Sequence, residues 1–105
     1  MGKEKIQKNL KLFTKRVRNR FHPQKVLLFG SFARGQAGSY SDVDIIVVAD
    51  TFKTVQFNKR LDILYPLIQD LSIDFHVFAY TPQEFARLSP LTSISEAKIH
   101  GIPLV

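Results

Sequence analysis

Six consecutive residues, Val43-Asp44-Ile45-Ile46-Val47-Val48, constrain this chain more than any other stretch. β-Branched side chains crowd a helix and fit a pleated strand, so the run reads as β-structure. It does not alternate apolar with polar residues, and such a strand is covered on both faces. Lys25-Val26-Leu27-Leu28-Phe29 reads as a companion strand, too brief for a helix and stopped at once by Gly30. Residues 72–80 make a third, with Ile73, Phe75, Val77 and Ala79 on one face and Asp74, His76, Phe78 and Tyr80 on the other.

Helical patterns separate these strands. Ile6, Leu10, Phe13 and Val17 recur at spacings of four, three and four, one apolar stripe of an amphipathic helix over residues 4–20. His22-Pro23 ends it, because proline disfavours helix at the residue before it. A second pattern opens at Asp50-Thr51 and runs through Leu61, Leu64, Tyr65 and Ile68, with a kink or break expected at Pro66. Thr81-Pro82-Gln83-Glu84 is a helix start: Thr81 caps, Pro82 suits the first helical position and Glu84 completes a capping box. That helix is expected to reach about Lys98, disturbed at Pro90 and closed by Gly101, with Ile-Pro-Leu-Val as an apolar tail. Strands alternating with helices predict an α/β or α+β fold, a small mixed sheet of three or more strands flanked by helices.

Composition narrows the function classes. The chain has 105 residues, 45% hydrophobic and 23% charged, which is globular and not disordered, and leaves room for one modest core. No apolar run approaches the ~20 residues of a membrane span, so no membrane role is expected. No apolar signal stretch follows the first residues, and cysteine is absent. That excludes disulfides, thiolate metal sites and a cysteine nucleophile, and a cytoplasmic location is the expectation. Charge is unevenly placed: residues 1–41 hold ten basic groups and one acid, whereas 42–105 hold five basic groups and eight acids. A basic segment of this kind suits a polyanionic partner or a phosphate-rich small substrate, and equally a solvated helix face.

Three pieces carry chemistry. Phe29-Gly30-Ser31 turns from a buried strand into what reads as a helix beginning over residues 31–34, where backbone can approach a ligand and amides favour phosphate. Ser41-Asp42-Val43-Asp44-Ile45 places two aspartates two apart at the head of a strand, on one face and within reach of one divalent cation. Asp74 is a carboxylate between apolar residues of the third strand, costly without a cation or hydrogen bonds. Alone, a Gly-Ser is usually a turn and an Asp-x-Asp a solvated strand end; together they ask for a shared positive charge. His76, two residues beyond Asp74, faces the same cleft or its rim in a packing or supporting role. His22 and His100 read as surface, Tyr40 as either a base-stacking ring or an exposed one, and Phe78 and Tyr80 as core or edge.

An apolar residue, Gly30-Ser31, ten intervening residues, Asp42-Val43-Asp44-Ile45 and a later Asp74 resemble the signature of the nucleotidyltransferase superfamily that includes DNA polymerase beta. The fuller pattern Gly30-Ser31-x-Ala33-Arg34-Gly35 with Ser41-Asp42-x-Asp44 resembles its minimal nucleotidyltransferases, as do Asp74 and Thr81-Pro82-x-Glu84-Phe85. The likeness covers about residues 20–90. It implies a polymerase beta-like nucleotidyltransferase fold, one minimal domain over residues 1–105, and transfer of a nucleoside monophosphate, usually adenylate from ATP, to a hydroxyl. Asp42 and Asp44 are implied ligands of two magnesium ions and Asp74 of the catalytic one, helping to deprotonate the acceptor. Gly30 and Ser31 are implied holders of the β/γ-phosphates, Arg34 a partner of the triphosphate, and Ser41 a residue that orients Asp42 or a phosphate oxygen.

Minimal nucleotidyltransferases are commonly antitoxins whose partner is a helical HEPN-type toxin silenced by adenylation of a tyrosine, and the resemblance makes that the leading expectation. Two readings stand beside it. One is a non-catalytic antitoxin that neutralises a partner by contact; the other is nucleotide addition to an RNA end, in which the basic first helix contacts phosphates.

Overall fold

The computed structural model describes residues 3–30, 43–89, 94 and 96–105. Helix α1 (Lys3–Phe21) buries the stripe read from its sequence: Phe13 and Val17 are wholly buried, and Ile6 and Leu10 pack on the same core. It stops at His22, whose φ of 48° is left-handed and whose amide donates to the Arg18 carbonyl at 3.2 Å. Strand β1 (Lys25–Phe29) follows, then β2 (Val43–Val48), both with the bounds the apolar runs predicted.

The connection from β2 to the third strand is not the helix expected. It is a 3₁₀ turn at Asp50–Thr54, a second at Phe57–Lys59, a short helix α2 (Arg60–Leu64) and a third 3₁₀ turn at Tyr65–Leu67. The Pro66 break is present, within the last turn. At the earlier interruption the carbonyls of Phe52 and Val55 accept from the Arg60 guanidinium at 3.0 and 3.1 Å, the Phe52 carbonyl also accepting the Val55 amide at 3.1 Å.

Strand β3 (Phe75–Tyr80) begins three residues later than expected, with its alternation as predicted. Helix α3 (Pro82–Ala86) has both halves of the capping box: Glu84 N–H donates to Thr81 Oγ1 at 3.1 Å, and Thr81 N–H donates to Glu84 Oε1 at 2.8 Å. It ends far short of Lys98, with Arg87 as its C-terminal cap; a separate helix α4 (Glu96–His100) follows, and Pro90 lies outside the described residues. Gly101 does end α4, its amide donating to the Ala97 carbonyl at 3.0 Å. The apolar tail holds a strand not foreseen, β4 (Ile102–Pro103).

Among the described residues the sheet has four strands in the order β3-β2-β1-β4, with β2 and β3 parallel and the other pairs antiparallel. This is an α+β fold around a mixed sheet. One face carries Val26, Leu28, Val43, Ile45, Val47, Val77 and Ala79 and is closed by α1 together with Phe52 and Leu64 of the crossover. The other carries Leu27, Phe29, Ile46, Val48 and Tyr80, and Phe85 of α3 and Ala97 of α4 pack on it. Each of these buried large side chains contributes on the order of 1.5–3 kcal/mol. Among the described residues no helix is long and apolar enough to cross a membrane.

Candidate active site

At the head of β2 the second sheet face carries a carboxylate. Asp44 alternates with Ile46 and Val48, so it shares their face, and its ladder partners are Phe29 on β1 and His76 on β3. Its side chain keeps 25% of its exposure, against essentially none for Ile46. Asp44 Oδ1 lies 3.3 Å from His76 Nδ1, and the His76 ring, 59% exposed, leans on Phe78 with centroids 4.6 Å apart. The parallel register that pairs residue 44 with residue 76 brings them together. Alternation alone places His76 on the site face and cannot supply its partner.

Gly30 ends β1 beside this carboxylate. Its φ is 73°, and a β-carbon built there would overlap Asp44 Oδ2. A side chain at residue 30 would therefore be strained and would also displace the aspartate. The glycine has a reason beyond ligand approach: it makes room for the carboxylate itself.

Asp74 immediately precedes β3. Its carbonyl accepts the Val43 amide at 2.9 Å, one step beyond the Val43–Phe75 ladder pair, and its side chain is exposed. Extended backbone through β3 puts Asp74 on the face of His76 and Asp44. Gly30 and Asp44 thus meet at one corner of the sheet with Asp74 on the same face, and among the described residues no three acidic or histidine side chains are close enough to share one metal ion. Ser31, Arg34, Tyr40, Ser41 and Asp42, with the helix expected after Ser31, lie outside the described residues. The carboxylate oxygens on this face are of the kind that suits magnesium.

The basic helix lies elsewhere. α1 packs on the opposite sheet face, and its Lys11, Lys15 and Arg18 line a groove of about 660 Å³ with Leu104 and Val105 of the tail. Two residues that matter to the fold carried no sequence signal. Arg60 is buried at 5% exposure, and Asn9, at 8%, hydrogen-bonds across the core to Ser72. Both are polar residues whose burial depends on partners distant in sequence.

Residues 10–102 match the nucleotidyltransferase domain family. A relative, protein adenylyltransferase MntA of Thermococcus cleftensis, is 35% identical over 72 residues, covering 65% of this chain and 73% of that protein. A provisionally named protein adenylyltransferase of Methanocaldococcus jannaschii is 38% identical over 50 residues, 48% of this chain but 31% of its own length. Among solved structures, a provisionally named nucleotidyltransferase from Sulfolobus solfataricus superposes with a TM-score of 0.67 over 98% of this chain and 87% of that one. At 22% identity, that last likeness speaks for the fold alone. The family match spans the three strands at whose ends Gly30, Asp44 and Asp74 lie, and the chain belongs to the nucleotidyltransferase domain family, its reaction class being nucleotidyl transfer.

Proposed function

We propose that the protein transfers adenylate from ATP to a hydroxyl of a partner protein, a tyrosine of a HEPN-type helical toxin, and so acts as an antitoxin. The observation that carries this is the corner where the bare backbone of Gly30 makes room for the Asp44 carboxylate while Asp74 is tied to the neighbouring strand. The printed names of two relatives, both protein adenylyltransferases, support a protein acceptor. The HEPN-type partner rests on the motif resemblance.

In this reading Asp42, Asp44 and Asp74 hold two magnesium ions. When bound, the pair supplies charge neutralisation at the transferring phosphate and its leaving oxygen. The chain's own residues do the rest. The Gly30 amide and Ser31 hydroxyl hold the β/γ-phosphates, Arg34 pairs with the triphosphate, and Ser41 orients Asp42 or a phosphate oxygen. Asp74 takes the proton of the acceptor hydroxyl as its oxygen bonds to the α-phosphorus. The bond from the α-phosphorus to the bridging oxygen breaks, and pyrophosphate leaves.

Addition to an RNA end is less well supported, because the cations of α1 lie across the sheet from Asp44. Incubation with ATP labelled on its α-phosphate, magnesium and a cell lysate tests the proposal. The expected result is label on a protein tyrosine. Label on RNA overturns it in favour of nucleotide addition, and no label with a partner still neutralised overturns it in favour of contact alone.

A further inference from the structure

α1 grips the approach to β3 at two places, seven residues apart on one side of the helix. Arg16 Nη1 donates to the Leu67 carbonyl at 2.9 Å, and its guanidinium meets both Asp70 carboxylate oxygens at 2.7 and 2.9 Å. Two turns earlier, Asn9 reaches Ser72 with both ends of its amide. Oδ1 accepts the Ser72 N–H at 3.3 Å, and Nδ2 donates to Ser72 Oγ at 3.4 Å and to the Lys5 carbonyl at 2.7 Å.

The three residues leading into β3 are then each held differently. Ser72 is held by the Asn9 amide, Ile73 by burial at 5% exposure, and Asp74 by its carbonyl on the Val43 amide at 2.9 Å. Asp74 is left with its side chain as the free part. A buried amide costs stability unless it is hydrogen-bonded, and an apolar residue of similar size would fill the space without that requirement. Packing alone gives no reason for asparagine at residue 9.

We infer that Asn9 is a positioning residue for the Asp74 carboxylate: by fixing Ser72 it makes Asp74 enter β3 in one register against Val43, beside Asp44. The inference rests on the role given to Asp74 under Proposed function. Misplacement of a reacting group by about 1 Å costs up to ~10²-fold in rate, so the expected effect is on turnover and not on nucleotide affinity.

Asn9→Leu keeps the branched outline of the side chain and removes all three hydrogen bonds. Turnover of adenylyl transfer should fall about tenfold or more, with ATP affinity unchanged because the Gly30 corner is untouched. Hydrogen exchange at the Val43 amide should accelerate, since its acceptor is the Asp74 carbonyl. Asn9→Asp, which still accepts the Ser72 N–H, should recover most of the turnover. Arg16→Met loosens the same segment further from Asp74, and should lower the melting temperature while leaving turnover near the parent's. Should Asn9→Leu fail to fold, Asn9→Ala removes the same three hydrogen bonds with a smaller side chain, and the same two readouts decide. Parental turnover, parental Val43 exchange, or a loss of ATP affinity in place of turnover overturns the inference. If the parent transfers no adenylate, the functional reading fails, and Val43 exchange alone then decides whether Asn9 fixes the entry of Asp74 into β3.

Discussion

Two carboxylates stand at opposite ends of the β2–β3 pair, and the chain treats them in opposite ways. Glu84, beyond the end of β3, is consumed. It accepts from both terminal nitrogens of Arg60 and from the Thr81 amide, while the same guanidinium also reaches the carbonyls of Phe52, Val55 and Ala79. Hydrogen bonding from Arg60 holds the Glu84 carboxyl below the usual glutamate range against a smaller opposing effect of burial. Asp44, at the head of β2, has among the described residues one ion-pair partner, the exposed His76. The Glu84 side chain is the more exposed of the two, 40% against 25%, so the contrast lies in partners and not in burial.

The widest way to break this contrast is to remove each charge and ask what is lost. Asp44→Asn should cut nucleotidyl transfer by about 10³-fold or more, because a neutral amide would hold magnesium, and the charge neutralisation it supplies, far more weakly than the carboxylate. Its melting temperature should stay within a few degrees of the parent's, since an exposed pair such as Asp44–His76 contributes roughly 0–1 kcal/mol. Arg60→Met should do the reverse. It removes the guanidinium from Glu84, which keeps the Thr81 amide, and from three carbonyls, and urea unfolding should show a loss of about 2–4 kcal/mol, lessened by the partial exposure of Glu84. Transfer by the fraction that remains folded should match the parent.

How much of this contrast was visible in the sequence differs between the two ends. The places of Gly30, Asp44 and Asp74 in the strands could be named because local rules bear on them: punctuation by glycine, period-two alternation and β-branched content; Ser31 and Asp42 lie outside the described residues. The capping box of Thr81 and Glu84 was readable for the same reason, its partners lying three residues apart. The second use of Glu84 was not. It depends on Arg60, twenty-four residues away, which also donates to the carbonyls at 52 and 55, where the expected helix is divided into 3₁₀ pieces. The meeting of Asp44 with His76 likewise needs the parallel register between β2 and β3, which alternation within one strand cannot reveal. β4 was missed because a two-residue strand exists only by pairing with Leu27 and Leu28 of β1.

pH separates the two ends more finely. Folded Glu84 holds its proton less tightly than unfolded Glu84, so its contribution is complete at neutral pH and lost as pH falls below the ordinary glutamate range and through the folded value. Urea midpoints taken from pH 7 downward should show this loss in the parent and a much shallower one in Arg60→Met, where the donor responsible is gone. Equal slopes in the two proteins would mean that the pair does not hold the Glu84 carboxyl down. The smallest effect belongs to Thr81→Ala. It removes the side-chain half of the capping box and should cost about 1 kcal/mol by urea unfolding, with transfer activity unchanged.

The central claim is that the open corner at Gly30, Asp44 and Asp74 performs nucleotidyl transfer. The most direct measurement follows ATP labelled on its α-phosphate, with magnesium and an adenylate-accepting partner, in the parent and in Asp44→Asn. The account predicts that the parent places the α-phosphate on the partner and releases one pyrophosphate per label transferred, while a folded Asp44→Asn does neither. Free inorganic phosphate in place of pyrophosphate, or undiminished transfer by Asp44→Asn, would contradict it.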